Sequence, residues 1–232
     1  MRKVQSKREG SWWWSTLSAI IHETFDACLF IGDLVEYGVE PIPCIDWVRQ
    51  HATAAIRGNH DHSVAQRVTP PAGSGFRKLA GETRQQHWNV LSPSHLKYLS
   101  RLPVTESITL DGIRFHLVHA TPRDPMDEYL ADEPNLWRTR LAGISADIVC
   151  VGHTHIQFHR DLGDCQILNP GSVGQPRDGD PRAAYAVINN GHVELKRVEY
   201  DIDDTVRKLH AAGLSSDCLE LAEAVLRSGG RL

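Results

Sequence analysis

Four apolar runs of strand length each end in a short polar cluster, and this recurrence constrains the fold more than any other feature of the chain. The runs, residues 27–31, 53–56, 115–118 and 147–151, lead into Gly32-Asp33, Gly58-Asn59-His60-Asp61, His119 and Gly152-His153-Thr154-His155. Each is too short for a stable helix and rich in β-branched or small apolar residues, which reads as a buried strand. In layered α/β domains strand ends open onto a common crevice, where polar side chains meet without disrupting the core.

The segments between these runs complete the pattern. Residues 12–23 have helical apolar spacing (Trp13, Leu17, Ile20, Ile21), and residues 41–51 form a second helix with Pro41 and Pro43 early in it, where a missing N–H costs little. Residues 63–80, with Pro70, Pro71, Gly73 and Gly75, read as an exposed loop, and Ser92-Pro93 caps a short helix. The second half is richer in strands, at 105–110, 113–118, 148–151, 166–168, 183–188 and 192–198. Asp111-Gly112 and Asn190-Gly191 stand at hairpin turns. Two amphipathic helices, 203–210 and 216–226, close the chain. The 232 residues read as a single domain, 1–232, with 1–11 atypical in composition.

The net charge of −4 argues against a stable nucleic-acid partner held by its backbone. Membrane insertion is not expected, since no apolar stretch approaches the roughly 20 residues that span a bilayer. The N-terminus lacks the apolar region of a secretory leader, so a cytoplasmic protein is expected. The five cysteines form no C-x-x-C pair and read as buried, reduced thiols.

Asp33, Asn59, His119, His153 and His155 supply the carboxylate, amide and imidazole donors that a hard-to-borderline divalent ion prefers. An aspartate can bridge two ions with its two oxygens, and a pair of ions about 3.5–4 Å apart forms a clamp for in-line attack on phosphorus. The segments GDLVEYG, RGNHD, LVHATP and GHTH, in that order and spacing, resemble the calcineurin-like metallophosphoesterases, closest to the small bacterial and archaeal phosphodiesterase type. The resemblance runs from about Leu17 to Val198. It implies an α/β fold, a four-layer α/β/β/α sandwich of two mixed β-sheets flanked by helices. It also makes Asp33 the bridging carboxylate, with Asn59, His119 and His153 on one ion and His155 on the other. His60 then becomes a catalytic, phosphate-contacting histidine and general acid, with Asp61 holding its second ring nitrogen.

One part of the family pattern is missing. An Asp-x-His is expected about 25 residues before the bridging aspartate, where this chain has Arg8-Glu9-Gly10. Three accounts stand open: a different reading frame at the N-terminus, a mononuclear or weakly binuclear site, or substitution by Glu9 or His22. The resemblance therefore implies one or two divalent ions (Mn²⁺, Fe²⁺/Fe³⁺, Zn²⁺ or Ni²⁺) and metal-dependent hydrolysis of a phosphomonoester or phosphodiester, a small molecule or nucleotide, by a metal-held hydroxide. The alternative is a catalytically impaired metal- or phosphate-binding relative with a regulatory or assembly role.

Other features have plainer readings. Most of the 13 histidines, among them His51, His87, His95 and His116, read as surface or hydrogen-bonded core residues. Arg123 and Arg177 lie in loops near the predicted site, where a solvated arginine is commoner than a phosphate ligand. Asn169-Pro170-Gly171-Ser172-Val173-Gly174 reads as a Pro-Gly turn that braces the site. Trp12, Trp13 and Trp14 cannot all face one core on a helix. Substrate specificity is expected from loops 63–80 and 121–138.

Overall fold

The structure, a computed structural model, describes residues 25–70, 72–130 and 132–230. The expected helix at 12–23, the three tryptophans, Glu9 and His22 lie outside the described residues.

The described elements run β1 (Leu29–Phe30), α1 (Pro41–His51), β2 (Ala54–Ala55), α2 (Asn59–Ala65), α3 (Phe76–Val90), α4 (Pro93–Arg101), β3 (Thr105–Leu110), β4 (Ile113–Val118) and α5 (Pro134–Arg140). They continue β5 (Ile148–Cys150), β6 (Phe158–Asp161), β7 (Gln166–Asn169), β8 (Ala183–Asn189), β9 (His192–Val198), α6 (Ile202–Ala211) and α7 (Ser216–Ser228). β3, β4, β5, β7 and β6 lie side by side in one mixed sheet, in which β4, β5 and β7 are parallel and the outer pairings are antiparallel. β1 pairs with β2 in parallel, and β8 with β9 as a hairpin.

The layers follow from the two-residue period of a strand. Along β4, β5 and β7, Val118, Val149, Val151 and Ile167 point to one face of the five-stranded sheet, where Trp137 of α5 covers them. Phe115, Leu117, Ile148, Cys150 and Leu168 point to the other face and meet Leu29, Ile31, Ala54 and Ile56 of the β1–β2 pair and Val193 of β9. Phe30 and Ala55, one residue out of phase, face Cys44, Ile45 and Val48 of α1. Helix, sheet, sheet and helix therefore stack in the expected four-layer order; the five-stranded sheet is mixed, and the second strand layer consists of the parallel β1–β2 pair and the antiparallel β8–β9 hairpin.

Both hairpin turns take the left-handed backbone that Asp-Gly and Asn-Gly favour. φ is 49° and 80° at Asp111 and Gly112, and 50° and 78° at Asn190 and Gly191. Three features depart from expectation. Residues 63–80 are not one loop, because α2 extends through Ala65 and α3 begins at Phe76. The inward face of α3 includes Thr83, Arg84 and His87, so its apolar periodicity is blurred. In addition, α5 interrupts loop 121–138, and β6 is an edge strand whose sequence FHRD lacks apolar alternation. All five cysteines are free. Among the described residues no helix is long and apolar enough to cross a membrane.

Candidate metal centre

Because β1 and β2 are parallel, and so are β4 and β5, the four polar clusters emerge at matching strand ends. Two glycines make the convergence possible. A Cβ on Gly32 (φ 90°) would stand 2.6 Å from the Gly58 nitrogen, and one on Gly58 would collide with Asp33 Oδ1 at 2.0 Å. Only glycine lets the two loops approach so closely.

The backbone beyond them is strained where the site is built. Of the eight described non-glycine residues with positive φ, five are Asp33, Glu36, Tyr37, His153 and His155. Such conformations persist only where the surroundings over-determine them, and they concentrate at functional sites.

The donor atoms face one another at short range. His119 donates Nδ1–H to the Ile31 carbonyl at 2.7 Å, which turns Nε2 toward Asn59 Oδ1 at 3.2 Å and Asp33 Oδ2 at 3.1 Å. His155 donates Nδ1–H to the Gln175 carbonyl at 2.8 Å, leaving Nε2 4.0 Å from Asp33 Oδ2. Asp33 Oδ2 and His153 Nε2 are buried without a hydrogen-bond partner. One donor atom each from Asp33, His119 and His153 fits within a 4.8 Å cluster.

Unpaired buried lone pairs are costly unless a cation sits among them. Electrostatics point the same way. Burial works against charge on Asp33, yet His119 and His60 hold its carboxyl well below the usual range. Burial lowers the His119 pKa and Asp33 more than restores it, for a net upward shift. Burial and the neighbouring His119 push His153 down to about 4, so it is a neutral donor. The residues present therefore fit a divalent ion, and Asp33, Asn59, His119 and His153 would hold it. His155 Nε2 faces the same Asp33 oxygen as His119 Nε2, from 4.0 Å.

His60 belongs to the site through a partner other than the one expected. Its Nδ1 meets Glu36 Oε2 at 2.5 Å, and its backbone N–H donates to Asp33 Oδ1 at 3.1 Å. Asp61 does not hold the ring. Its two carboxylate oxygens accept the backbone N–H groups of Asp33 (2.7 Å), Leu34 (2.8 Å) and Gly58 (2.9 Å). The reason is local: Asp61 is the third residue of α2, so its side chain folds back over the helix N-terminus and ties the two glycine loops together. Burial and Asp33 push its carboxyl up to about 7, against the pull of those N–H donors.

Sequence reading also missed what holds Glu36. Its side chain is fully buried between His60 and Arg84, whose Nε donates to Oε1 at 2.5 Å and whose Nη2 donates to Oε2 at 3.3 Å. Thr83 Oγ1 accepts the Tyr37 N–H at 3.0 Å. His87 Nδ1 accepts the Glu36 N–H at 3.2 Å while its Nε2–H donates to the Gly38 carbonyl at 3.0 Å. Helix α3 thus grips residues 36–38 by three polar side chains. A hydrophilic triplet spaced three and four apart was the available signal.

The remaining candidates separate clearly. Arg177 lies over the rings of Tyr37 and Phe76, 5.3 and 4.3 Å from their centroids, and Tyr37 contacts His60 edge-on at 4.7 Å. Arg123 is exposed and 3.6 Å from Glu128. Asn169 braces the GHTH loop, with Nδ2 donating to the Gly152 carbonyl at 2.8 Å and to Thr154 Oγ1 at 3.1 Å.

Comparison with known proteins agrees with this geometry. Residues 14–191 match the calcineurin-like phosphoesterase superfamily domain. The crystal structure of a metallophosphoesterase from Sphaerobacter thermophilus superposes with a TM-score of 0.74 at 30% identity, covering 93% of each chain. A hypothetical protein from Pyrococcus horikoshii shares the fold, with a TM-score of 0.75 at 19% identity over 94% of each chain. An uncharacterised protein of Methanocaldococcus jannaschii is 29% identical over 202 residues, 77% of this chain and 78% of its own. This chain belongs to the calcineurin-like phosphoesterase superfamily, whose activity is metal-dependent phosphoester hydrolysis.

Proposed function

We propose that this chain hydrolyses phosphomonoesters or phosphodiesters of small molecules or nucleotides, using divalent ions held by Asp33, Asn59, His119, His153 and His155. The observation that carries the reading is the convergence of donor atoms from Asp33, Asn59, His119 and His153, in which Asp33 Oδ2 and His153 Nε2 are buried without a hydrogen-bond partner. The N/O donor set suits Mn²⁺, Fe²⁺, Zn²⁺ or Ni²⁺. When bound, such an ion supplies positive charge at the phosphoryl oxygens and lowers the pKa of the attacking water.

The chain's own residues supply the rest. His60 is the general acid: Glu36 fixes Nδ1 and reserves Nε2–H for the departing alkoxide. Burial opposes its protonation, and Asp33 and Glu36 overcome that, so its pKa is raised above the ordinary imidazole value. Arg177, held by the Tyr37 and Phe76 rings, adds a guanidinium beside His155 for substrate phosphate. Asp61 keeps Asp33 and Gly58 in place and touches no substrate.

The test is Mn²⁺-stimulated hydrolysis of p-nitrophenyl phosphate and bis(p-nitrophenyl) phosphate, with metal content measured alongside. Asn59→Ala should abolish stimulation, and His60→Gln should lower kcat by about 10²- to 10⁴-fold at unchanged metal content. Turnover by metal-free protein would refute the proposal. One bound ion with no turnover on either ester would instead favour the regulatory or assembly role.

A further inference from the structure

Tyr129 is 67% exposed, the most exposed of the large hydrophobic residues described. Its ring nevertheless stands in a defined place, with its centroid 4.1 Å from that of His153 at 45°. A lone exposed tyrosine needs no explanation. One held against a candidate metal ligand does, because the segment that carries it is tied down on both sides.

On the N-terminal side, Glu128 accepts Arg140 Nε at 3.0 Å and Nη2 at 2.7 Å, and it accepts the Thr121 hydroxyl. On the C-terminal side, Leu130 is buried in the cluster that contains Trp137. The turn between His119 and Glu128 is knitted by Ala120 N–H donating to the Pro125 carbonyl at 3.0 Å, and by Asp124 Oδ1 accepting the N–H groups of Met126 and Asp127. Residues 128 and 130 therefore leave the Tyr129 ring little freedom, although most of its surface faces solvent. An aromatic ring ordered in this way has already lost the entropy that stacking would otherwise cost.

Its position also divides the crevice. Arg177, Tyr37 and Phe76 stand on the His60 and His155 side, where the guanidinium meets anionic groups. Tyr129 stands against His153, within electrostatic reach of Tyr37, and offers a π face and a hydroxyl. A phosphoester seated among the histidines would direct one substituent toward Tyr129. Every nucleobase has a π face that can stack on such a ring.

Resting on the phosphoesterase reading, we propose that Tyr129 is the specificity-determining platform on which a flat aromatic group of the substrate, the base of a nucleotide, stacks. Esters of nucleosides are then preferred over esters of open-chain alcohols. The preference appears in KM and in affinity, because stacking acts on a group remote from phosphorus.

The experiment uses the Mn²⁺-loaded full chain and the variants Tyr129→Ala and Tyr129→Phe. Thymidine 5′-(p-nitrophenyl phosphate) and methyl p-nitrophenyl phosphate share a leaving group, and the first adds a sugar and the platform's ligand, the base. Calorimetry with adenosine 5′-monophosphate and glycerol 3-phosphate reads binding without turnover. Tyr129→Ala should cut the thymidine-over-methyl ratio of kcat/KM by about 10- to 100-fold and weaken adenosine 5′-monophosphate alone by a similar factor. Tyr129→Phe should keep the preference. Equal affinity of the wild-type protein for the two monophosphates, or a ratio unmoved in Tyr129→Ala, would overturn the inference while the phosphoesterase reading stands. Absence of turnover on every ester would count against that reading, and the calorimetry would still decide the platform.

Discussion

The two sides of the crevice are built on opposite principles. On one side, Asp33, Asn59, His119 and His153 bring donor atoms together and leave Asp33 Oδ2 and His153 Nε2 without a hydrogen-bond partner. On the other, Glu36, Thr83, Arg84 and His87 form a buried network in which each acceptor meets a donor. The unsatisfied side is costly as folded protein and competent to bind a cation. The satisfied side contributes stability and holds the strained residues 33–37 in place. Substitutions on the first should destroy function; substitutions that break the second should cost stability first.

The largest expected effect tests the first side. Asp33→Ala should lower metal-dependent turnover by at least about 10³-fold, since it removes the residue assigned to bridge both ions.

Breaking the second side should give the opposite signature. Arg84→Met strands the buried Glu36 carboxylate and should cost about 3–5 kcal/mol in denaturant unfolding. Adding Glu36→Gln to that variant should recover part of the loss, and a double-mutant cycle with no recovery would refute the pairing.

A pH dependence sharpens the comparison further. Burial pushes His87 down to about 4, and its Nδ1 must stay unprotonated to accept the Glu36 N–H. Its unfolded value is near 6.5, so between about pH 6.5 and 4 the unfolded chain binds the proton more readily. The contribution of neutral His87 is therefore full above about pH 6.5 and falls by ~3 kcal/mol as pH drops to about 4. Urea unfolding across this range should show the slope, and His87→Gln should flatten it. The smallest effect belongs outside both sides: Arg123→Ala, an exposed arm 3.6 Å from Glu128, should change stability by less than about 0.5 kcal/mol.

The difference between the sides also explains what could be read from sequence. The candidate ligand side falls in four short segments whose composition is unusual wherever it occurs, so Asp33, Asn59, His119, His153 and His155 stand out as candidates before any fold is known. The supporting side draws on Thr83, Arg84 and His87, residue types common on any surface helix. They point inward only because α3 lies against residues 36–38. Asp61 shows the same limit from within a motif. Its place in the sequence suggested the His60 ring as its partner, but the start of α2 directs its carboxylate to three backbone N–H groups and leaves the ring to Glu36.

The sequence by itself determined the strand ends, the two hairpin turns, the donor types and the superfamily, because each depends on residues adjacent in the chain. Only the tertiary structure decided which carboxylate holds His60, that a polar helix face supports the site, and that Tyr129 is fixed over His153. Those outcomes depend on which lone pairs and N–H groups lie within 3 Å of one another after packing, and residues as far apart as 36 and 84 have no local pattern that records it.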